Sequence, residues 1–148
     1  MKIVYQISAG GIVYKKRSRP YSLVPSPFLW LICQHSLHRG WVFPKGFVGD
    51  KDKNESNEAA ALREVEEEGG IKAKIVNPKP IISHYEYQFE GVLYKKTVYY
   101  FLMEFVSGDP KNHDWEMMDA KFINADEVKK TLTYSSDKEA FAKILQGL

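Results

Sequence analysis

A loop with two glycines, followed by a glutamate-rich helix, occupies residues 41–71, which read WVFPKGFVGDKDKNESNEAAALREVEEEGGI. Residues 58–68 contain neither glycine nor proline and are rich in good helix formers, so they predict a helix. Ser56 is suited to cap its N-terminus, and Gly69 and Gly70 are suited to end it. The segment therefore predicts a loop, one short helix and a sharp stop.

The predicted helix has an apolar side that can pack on a core and an acidic side that carries Glu64, Glu67 and Glu68. Carboxylates near the C-terminal end of a helix cost on the order of 0.3–1 kcal/mol each. The like charges of Glu64 and Glu68, four residues apart, add a few tenths of a kcal/mol. A solvated charged face is the ordinary interpretation of such a helix. The unfavourable helix end and the neighbouring Arg63 favour a functional cluster instead.

A hard divalent cation would offset this repulsion. Mg²⁺ and Mn²⁺ prefer carboxylate, carbonyl and water oxygens as ligands. A cation bound there would also attract the oxygens of a phosphate chain. The acidic side therefore predicts a site for Mg²⁺ or Mn²⁺.

The spacing of the segment resembles the Nudix box. Gly49 is followed after five residues by Glu55 and, after seven more, by the run Arg63-Glu64-Val65-x-Glu67-Glu68-x-Gly70-Ile71. Every specified position of the box is present within residues 49–71. The loop 47–54 is longer than in many members, so Gly46 and Gly49 are both candidates for the glycine that opens the box.

The Nudix resemblance implies a fold and an activity. Members of the family hydrolyse nucleoside diphosphates linked to another moiety, with a divalent metal ion held by the box helix. By this resemblance Glu64, Glu67 and Glu68 bind the metal ion, and Arg63 orients them. It also implies an α/β class fold, an α/β/α sandwich with a mixed β-sheet, in which the box forms a loop–helix–loop at one edge.

Composition indicates a globular protein. A length of 148 residues predicts a single domain over residues 1–148, and the 44% hydrophobic content fits a real core. No apolar run approaches a membrane span and the N-terminus lacks a signal core, so we expect a cytoplasmic protein without a membrane partner. The net charge of +2 argues against nonspecific nucleic-acid binding. The single cysteine, Cys33, lies in an apolar run that favours a buried thiol over a nucleophile. Oligomeric state stays open.

The remaining chain predicts mostly strands, with two further helices. The predicted strands are 5–14, 28–34, 72–76, 81–89, 97–106 and 120–123, and a polar turn over 35–40 leads into residues 41–43. Glu90-Gly91 between 81–89 and 97–106 suggests an antiparallel hairpin. The helices end at 130 and span 137–145. Asn124 or Asp126 could cap the first of these helices and Ser136 the second. Glycines at 10 and 11 indicate a bulge or a close backbone approach. Residues 15–27 predict a surface loop that could instead cover the mouth of a substrate site.

Shorter pieces of sequence resemble the diadenosine tetraphosphate hydrolase branch of the family. They are Ser8-Ala9-Gly10-Gly11, residues 41–46, residues 96–101, and Trp115-Glu116 followed by Asp119-Ala120-Lys121-Phe122. The resemblance implies three residues that bind the phosphate chain and two that stack on adenine, namely Lys45, Lys96 and His38, then Tyr87 and Tyr134. It also matches Glu116 to an acidic position in a mobile loop that can approach the metal ions.

Each of these side chains also has a simpler interpretation. A surface lysine or a turn histidine needs no ligand, and most tyrosines in strands simply pack. On composition alone the candidates for base stacking also include Tyr94, Tyr99 and Tyr100.

The sequence thus predicts a Mg²⁺-dependent hydrolase of dinucleoside polyphosphates that forms ATP and AMP from diadenosine tetraphosphate. The partner is a small nucleotide polyphosphate, and Glu67 or Glu116 could remove the proton from the attacking water. Alternatives are removal of pyrophosphate from RNA 5′ ends, hydrolysis of oxidised nucleoside triphosphates, and a non-catalytic nucleotide-binding module. The last would be expected to lose box carboxylates, and this chain has kept all three.

Overall fold

The computed structural model describes residues 1–17 and 27–147; most of the predicted loop 15–27 therefore lies outside the described residues. Within these ranges the chain forms eight strands, three α-helices and one short 3-10 helix. In chain order these are β1 (Lys2–Lys16), β2 (Phe28–His35), β3 (Trp41–Val42), β4 (Lys45–Phe47), α1 (Asn57–Gly69), β5 (Ile71–Ile75), β6 (Ile81–Phe89), β7 (Val92–Gly108), the 3-10 helix (Pro110–Asn112), β8 (Met117–Ile123), α2 (Ala125–Thr131) and α3 (Ser135–Gln146). No described helix has the length and apolar character needed to span a membrane.

The described strands form one mixed sheet. Its main order is β3-β2-β1-β7-β5, with β4 paired to β1, β6 to β7 and β8 to β2. The two long central strands, β1 and β7, run parallel, whereas the other pairs are antiparallel. The prediction of a mixed sheet is confirmed.

Helices cover both faces of this sheet. On one face, α1 buries Ala60, Ala61 and Val65 against a cluster that includes Val13 and Phe101. On the other face, α2 and α3 pack on a second cluster; its buried members are Ile12, Trp30, Ile32, Phe43, Val98, Tyr100, Val128, Leu132, Ala140, Phe141 and Ile144. Alternate residues of β1 and β2 point to opposite faces, as strand geometry requires. The layers are those of the predicted α/β/α sandwich.

The glycines of β1 allow close approach rather than a bulge. The β1–β7 register runs without interruption from Lys2 opposite Val92 to Tyr14 opposite Glu104. A Cβ atom on Gly11 would lie 2.5 Å from Cγ2 of Val65, so α1 sits directly on the strand. Gly10 similarly faces the Pro44 carbonyl, which brings the segment before β4 against the same strand.

The predicted N-terminal cap residue is confirmed for two of the three α-helices. Ser56 Oγ accepts a hydrogen bond from the Ala59 N–H at 3.1 Å, and Gly70 ends α1 with φ of 73°. Asn124 Oδ1 caps α2 by accepting the Glu127 N–H at 2.9 Å. The predicted Ser136 cap is wrong, because α3 begins at Ser135 and its cap residue, Tyr134, makes no side-chain capping bond.

Four strands begin earlier than predicted, namely β1 at Lys2, β5 at Ile71, β7 at Val92 and β8 at Met117. A two-residue turn, Glu90-Gly91, joins β6 to β7, and both residues have positive φ (50° and 75°), as in a type I′ hairpin. Because such a tight turn leaves no room for a longer loop, β7 begins at Val92 rather than at residue 97. Lys96 therefore lies inside a strand, opposite Tyr85. Similarly, β8 begins at Met117 rather than at residue 120.

Candidate active site

Arg63 connects the acidic helix to the loop before it. Its guanidinium donates to both oxygens of Glu55, at 2.8 and 3.0 Å, and to the Phe47 carbonyl at 3.3 Å. The remaining nitrogen, Nη1, donates to Glu64 at 2.8 Å and to Glu67 at 3.3 Å. These bonds raise the pKa of Arg63 and lower the pKa of Glu55, chiefly through their shared hydrogen bonds. Arg63 thus holds two of the predicted metal ligands in place.

Both candidate glycines of the box have a structural role. Gly46 lies so close to the Glu64 carboxyl group that a Cβ atom would collide with it. Gly49 has φ of 83°, and its N–H donates to Glu55 Oε1 at 3.2 Å. Gly46 therefore makes room for a carboxylate of the helix, whereas Gly49 turns the long loop back towards Arg63.

Glu64 and Glu68 are carboxylates in a poorly hydrated environment. They are 5% and 4% exposed. Burial raises the pKa of Glu64 to about 7, opposed by Arg63, and raises the pKa of Glu68 to about 9, opposed by the Lys45 backbone N–H. That N–H donates to Glu68 Oε1 at 3.0 Å. Burial also raises the pKa of the adjacent Cys33 thiol, which donates to the Glu68 carbonyl. The predicted burial of Cys33 is confirmed.

Glu67 and Glu116 complete the acidic end of a cavity of about 320 Å³ that all four glutamates line. The Glu67 side chain is 36% exposed and thus the most accessible of the three on α1. Glu116 precedes β8, and its carbonyl accepts hydrogen bonds from the backbone and the hydroxyl group of Ser36. Its negative charge contributes to the raised pKa values of Glu64 and Glu68. The structure therefore brings together the four glutamates that the sequence selected.

The donor set fits a hard divalent cation. All four groups are carboxylates, and the only cysteine is buried beneath them. Among the described residues, however, no three His, Cys, Asp or Glu side chains are already arranged as metal ligands. Arg63 and the Lys45 N–H bind oxygens of the same carboxylates. A bound cation would therefore replace some of these hydrogen bonds and balance the negative charge of the glutamates.

Two lysines line the same cavity as the glutamates. Lys45 and Lys96 both line it. Lys96 Nζ lies 4.7 Å from the centroid of the Phe47 ring, an arrangement typical of a cation–π contact. Burial lowers the pKa of Lys96 to about 8, and Lys45 adds to this effect while Glu68 opposes it. An anion between the two lysines would relieve this repulsion, as the predicted phosphate chain would.

A second cavity, of about 710 Å³, adjoins the first. Both are lined by a shared set of residues: His38, Val42, Lys45, Tyr85 and Lys96. Tyr87 and Tyr134, the predicted stacking residues, line the second cavity only. The Tyr87 ring stacks on Tyr94, with centroids 4.9 Å apart, and the Tyr134 hydroxyl contacts His38 Nδ1 at 3.0 Å. The two cavities thus form one path from carboxylates, past lysines, to tyrosines.

The other tyrosines proposed for stacking lie elsewhere. Tyr99 packs on the α1 side of the sheet, and Tyr100 is buried in the core. Neither they nor Tyr94 line either cavity among the described residues. Each fits the simpler interpretation that strand tyrosines pack.

Tyr85, Asp137 and His35 are among the cavity-lining residues that the sequence missed. Tyr85 lines both, and burial raises its pKa. Asp137, 3% exposed, accepts a hydrogen bond from the Tyr100 hydroxyl at 2.7 Å and borders the second cavity. His35 lines the first cavity. A local signal existed only for Tyr85, which alternates with Tyr87 along β6 and therefore points to the same face.

Comparisons with known proteins agree with this geometry. The model of the NUDIX domain family matches residues 4–144. A Mycobacterium tuberculosis protein provisionally named mutator protein MutT4 is 27% identical over 140 residues. Those residues cover 93% of this chain but 54% of the relative, so the chain spans about half of that relative's length.

Solved structures share the fold at low sequence identity. An Ap4A hydrolase of C. elegans, in a binary complex, superposes with a TM-score of 0.67 at 22% identity, covering 97% of this chain and 99% of that one. The NUDIX domain of Shewanella oneidensis NrtR, complexed with ADP ribose, superposes with a TM-score of 0.69 at 14% identity, covering 97% and 88%. With a family model that matches nearly its whole length, the chain belongs to the NUDIX domain family.

Proposed function

We propose that this single domain, residues 1–148 with the box at 49–71, hydrolyses a phosphoanhydride bond of dinucleoside polyphosphates in the presence of Mg²⁺ or Mn²⁺. The preferred substrate is diadenosine tetraphosphate, and the products are ATP and AMP. The observation that carries the proposal is the continuity of the two cavities. A cluster of carboxylates, a pair of lysines and an aromatic recess follow one another along a single path.

Different residues along this path have different roles in the reaction. Glu64, Glu67 and Glu68 would hold the cation, with Arg63 orienting Glu64 and Glu67. When bound, a divalent cation neutralises phosphate charge and lowers the pKa of a water molecule. Glu67 or Glu116 accepts the proton of the attacking water, whose oxygen bonds to phosphorus as the bridging P–O bond breaks. Lys45 and Lys96 bind the phosphate oxygens and stabilise the charge on the leaving group.

The second cavity would hold a nucleoside. Stacking on an aromatic side chain contributes about 1–3 kcal/mol per base. Tyr87 and Tyr134 offer such surfaces, and the C. elegans Ap4A hydrolase with the same fold supports a dinucleotide as the ligand. The soluble small-molecule substrate is consistent with a cytoplasmic location.

The test is identification of products in ¹⁸O-labelled water. The protein is incubated with diadenosine tetraphosphate and Mg²⁺, the nucleotides are separated, and their masses are measured by mass spectrometry. We expect ATP and AMP, with one ¹⁸O in total, no turnover with EDTA, and a kcat lowered about 100-fold or more in the Glu67→Gln and Glu64→Gln variants. No cleavage of this compound, beside rapid turnover of another nucleotide, would overturn the substrate assignment.

A second candidate is hydrolysis of oxidised nucleoside triphosphates, which the provisional mutator name of the M. tuberculosis relative favours. The same carboxylates and lysines would serve, with one base in the aromatic cavity. A panel containing oxidised triphosphates and diadenosine tetraphosphate separates the candidates by their kcat/KM values, because contacts to the leaving group lie outside the box.

A further inference from the structure

Two histidines, His35 and His38, lie side by side in the wall of the first cavity, which the four glutamates line. Their rings are stacked, with centroids 4.3 Å apart and planes inclined by 10°. His35 ends β2, and His38 lies in the short turn that leads to β3. The turn therefore presents two imidazoles to the cavity.

Hydrogen bonds determine which nitrogen of each ring carries the proton. The Leu37 N–H donates to Nδ1 of His35 at 3.1 Å, and the Gly40 N–H donates to Nδ1 of His38 at 3.0 Å. A backbone N–H can only donate, so each Nδ1 must be an unprotonated acceptor. The proton of each neutral imidazole then lies on Nε2, where it is a donor.

The surroundings oppose a positive charge on the pair. An imidazolium would direct an Nδ1–H at a backbone N–H, and two charged rings at this separation would repel each other. Lys45 is a further nearby cation: burial lowers the pKa of His38, and His35 and Lys45 lower it further. The Tyr134 hydroxyl also lies 3.0 Å from His38 Nδ1, the nitrogen that faces the Gly40 N–H. Gly40 permits this approach, since a Cβ atom there would lie 2.8 Å from Nδ1 and 2.9 Å from that hydroxyl.

We propose that His35 joins His38, already assigned to the phosphate chain by resemblance, as a second phosphate-binding histidine, and that both act as neutral imidazoles that donate Nε2–H to phosphate oxygens. The identity of the ligand rests on the proposed function, whereas the assignment of the protons rests on the hydrogen bonds alone. Neutral imidazoles add hydrogen bonds to phosphate without adding a positive charge that would repel Lys45 and Lys96.

The same proton positions argue against a transition metal at these rings. A metal ion on Nε2 of a neutral imidazole requires the proton to move to Nδ1. That proton would face the Leu37 or Gly40 N–H and break the hydrogen bond. The pair therefore favours an anion over a metal ion.

The first test is nitrogen NMR of the chain of residues 1–148, loaded with Mg²⁺ and labelled at its histidines. Correlations within each ring distinguish protonated from unprotonated nitrogens. His113 is an internal control of opposite kind, because its Nδ1 lies 2.9 Å from the Asp114 carbonyl and so must carry the proton. We expect Nε2–H tautomers for His35 and His38, whose signals shift when methylenediphosphonate is added, while His113 stays constant. An Nδ1–H tautomer in either ring, or no response to the diphosphonate, would overturn the proposal.

The second test compares His35→Asn with His35→Gln. The asparagine oxygen can still accept from Leu37 but leaves no donor in the cavity, whereas the glutamine amide can place an N–H near the position of Nε2. Loss of one hydrogen bond should weaken diphosphonate binding about 5-fold in His35→Asn, with recovery in His35→Gln and no change in His113→Asn. Equal losses in both His35 variants would indicate a packing role and contradict the proposal.

These readouts do not depend on turnover. If diadenosine tetraphosphate is not cleaved while both rings respond to the diphosphonate, the proposed function fails and the histidine assignment stands. If it is cleaved while His35→Asn binds and reacts as the wild type does, the histidine assignment fails alone.

Discussion

The carboxyl group of Glu64 occupies the space where a side chain of Gly46 would stand. In Gly46→Ala the added methyl group must displace Glu64 from its bond with Arg63. A displacement of about 1 Å at a catalytic group can cost 10²-fold in rate, so we expect kcat to fall about 100-fold with the fold retained. Steady-state kinetics and circular dichroism test this. Gly147→Ala is the matched control, since its Cβ atom meets no atom closer than 3.7 Å and its activity should be unchanged.

Arg63 acts as a positioning residue through its forked contacts with Glu55 and its bonds to Glu64 and Glu67. Lysine cannot reproduce the fork, so Arg63→Lys should reduce Mg²⁺ affinity or kcat about 10–100-fold. A Mg²⁺ titration of activity measures both. Lys95→Ala, which removes only the exposed pair with Glu86, should change stability by less than about 1 kcal/mol and leave the titration unaltered. Wild-type Mg²⁺ dependence in Arg63→Lys would refute the positioning role.

The general base can be assigned by comparing Glu67→Gln with Glu116→Gln. Removal of the base should lower kcat about 10²–10⁴-fold and abolish the acidic limb of the pH–rate profile. Removal of a metal ligand should instead raise the Mg²⁺ concentration needed for half-maximal rate. Profiles of kcat against pH at saturating Mg²⁺ distinguish the two. If both variants keep the wild-type acidic limb, neither glutamate is the base.

Much of the acidic site follows from rules that act over a few residues. The Ser56 cap, the Gly70 stop and the grouping of glutamates depend on helix geometry alone, so the sequence predicts them. The hairpin predicted at Glu90-Gly91 is confirmed, but the sequence pattern placed the start of β7 at residue 97 and so did not give the register that pairs Lys96 with Tyr85. The Asp137–Tyr100 bond joins residues 37 apart and arises only when α3 packs on the sheet. Local patterns carry no information on such contacts.

Stability without metal should depend on Glu68. Its pKa in the folded protein, about 9, exceeds the ordinary value of 4.5, so the folded state binds more protons than the unfolded state between these values. The contribution of Glu68 to the free energy of unfolding therefore falls as pH rises through this window. Urea unfolding in EDTA should show Glu68→Gln losing less stability than the wild type between pH 6 and 9 (roughly the accessible part of that window). Parallel curves for the two proteins would contradict the raised pKa.

The second cavity, which Tyr87 and Tyr134 line, predicts that a substitution there affects ligands with a base more than ligands without one. Tyr134→Ala removes a stacking surface worth about 1–3 kcal/mol, so KM for diadenosine tetraphosphate should rise about 5–100-fold. Binding of methylenediphosphonate, which has no base, should change far less. Tyr134→Phe keeps the ring and loses the hydroxyl contact with His38, so its KM should stay closer to the wild-type value. An equal loss for ligands with and without a base would rule out stacking at this position.

The strand pair β6–β7 carries Tyr85, Tyr87 and Lys96 in fixed register, and β7 in turn pairs along its length with β1. Gly11 of β1 seats the glutamate helix directly on the same sheet. The tyrosines and the glutamates are therefore carried by one hydrogen-bonded sheet, and the strand register sets the distance between them. We expect this distance to select the length of the phosphate chain. In a substrate of the wrong length the base would still bind the tyrosines, but the scissile bond would lie away from the glutamates. Selection would then show in kcat as phosphates are added or removed, with little change in binding.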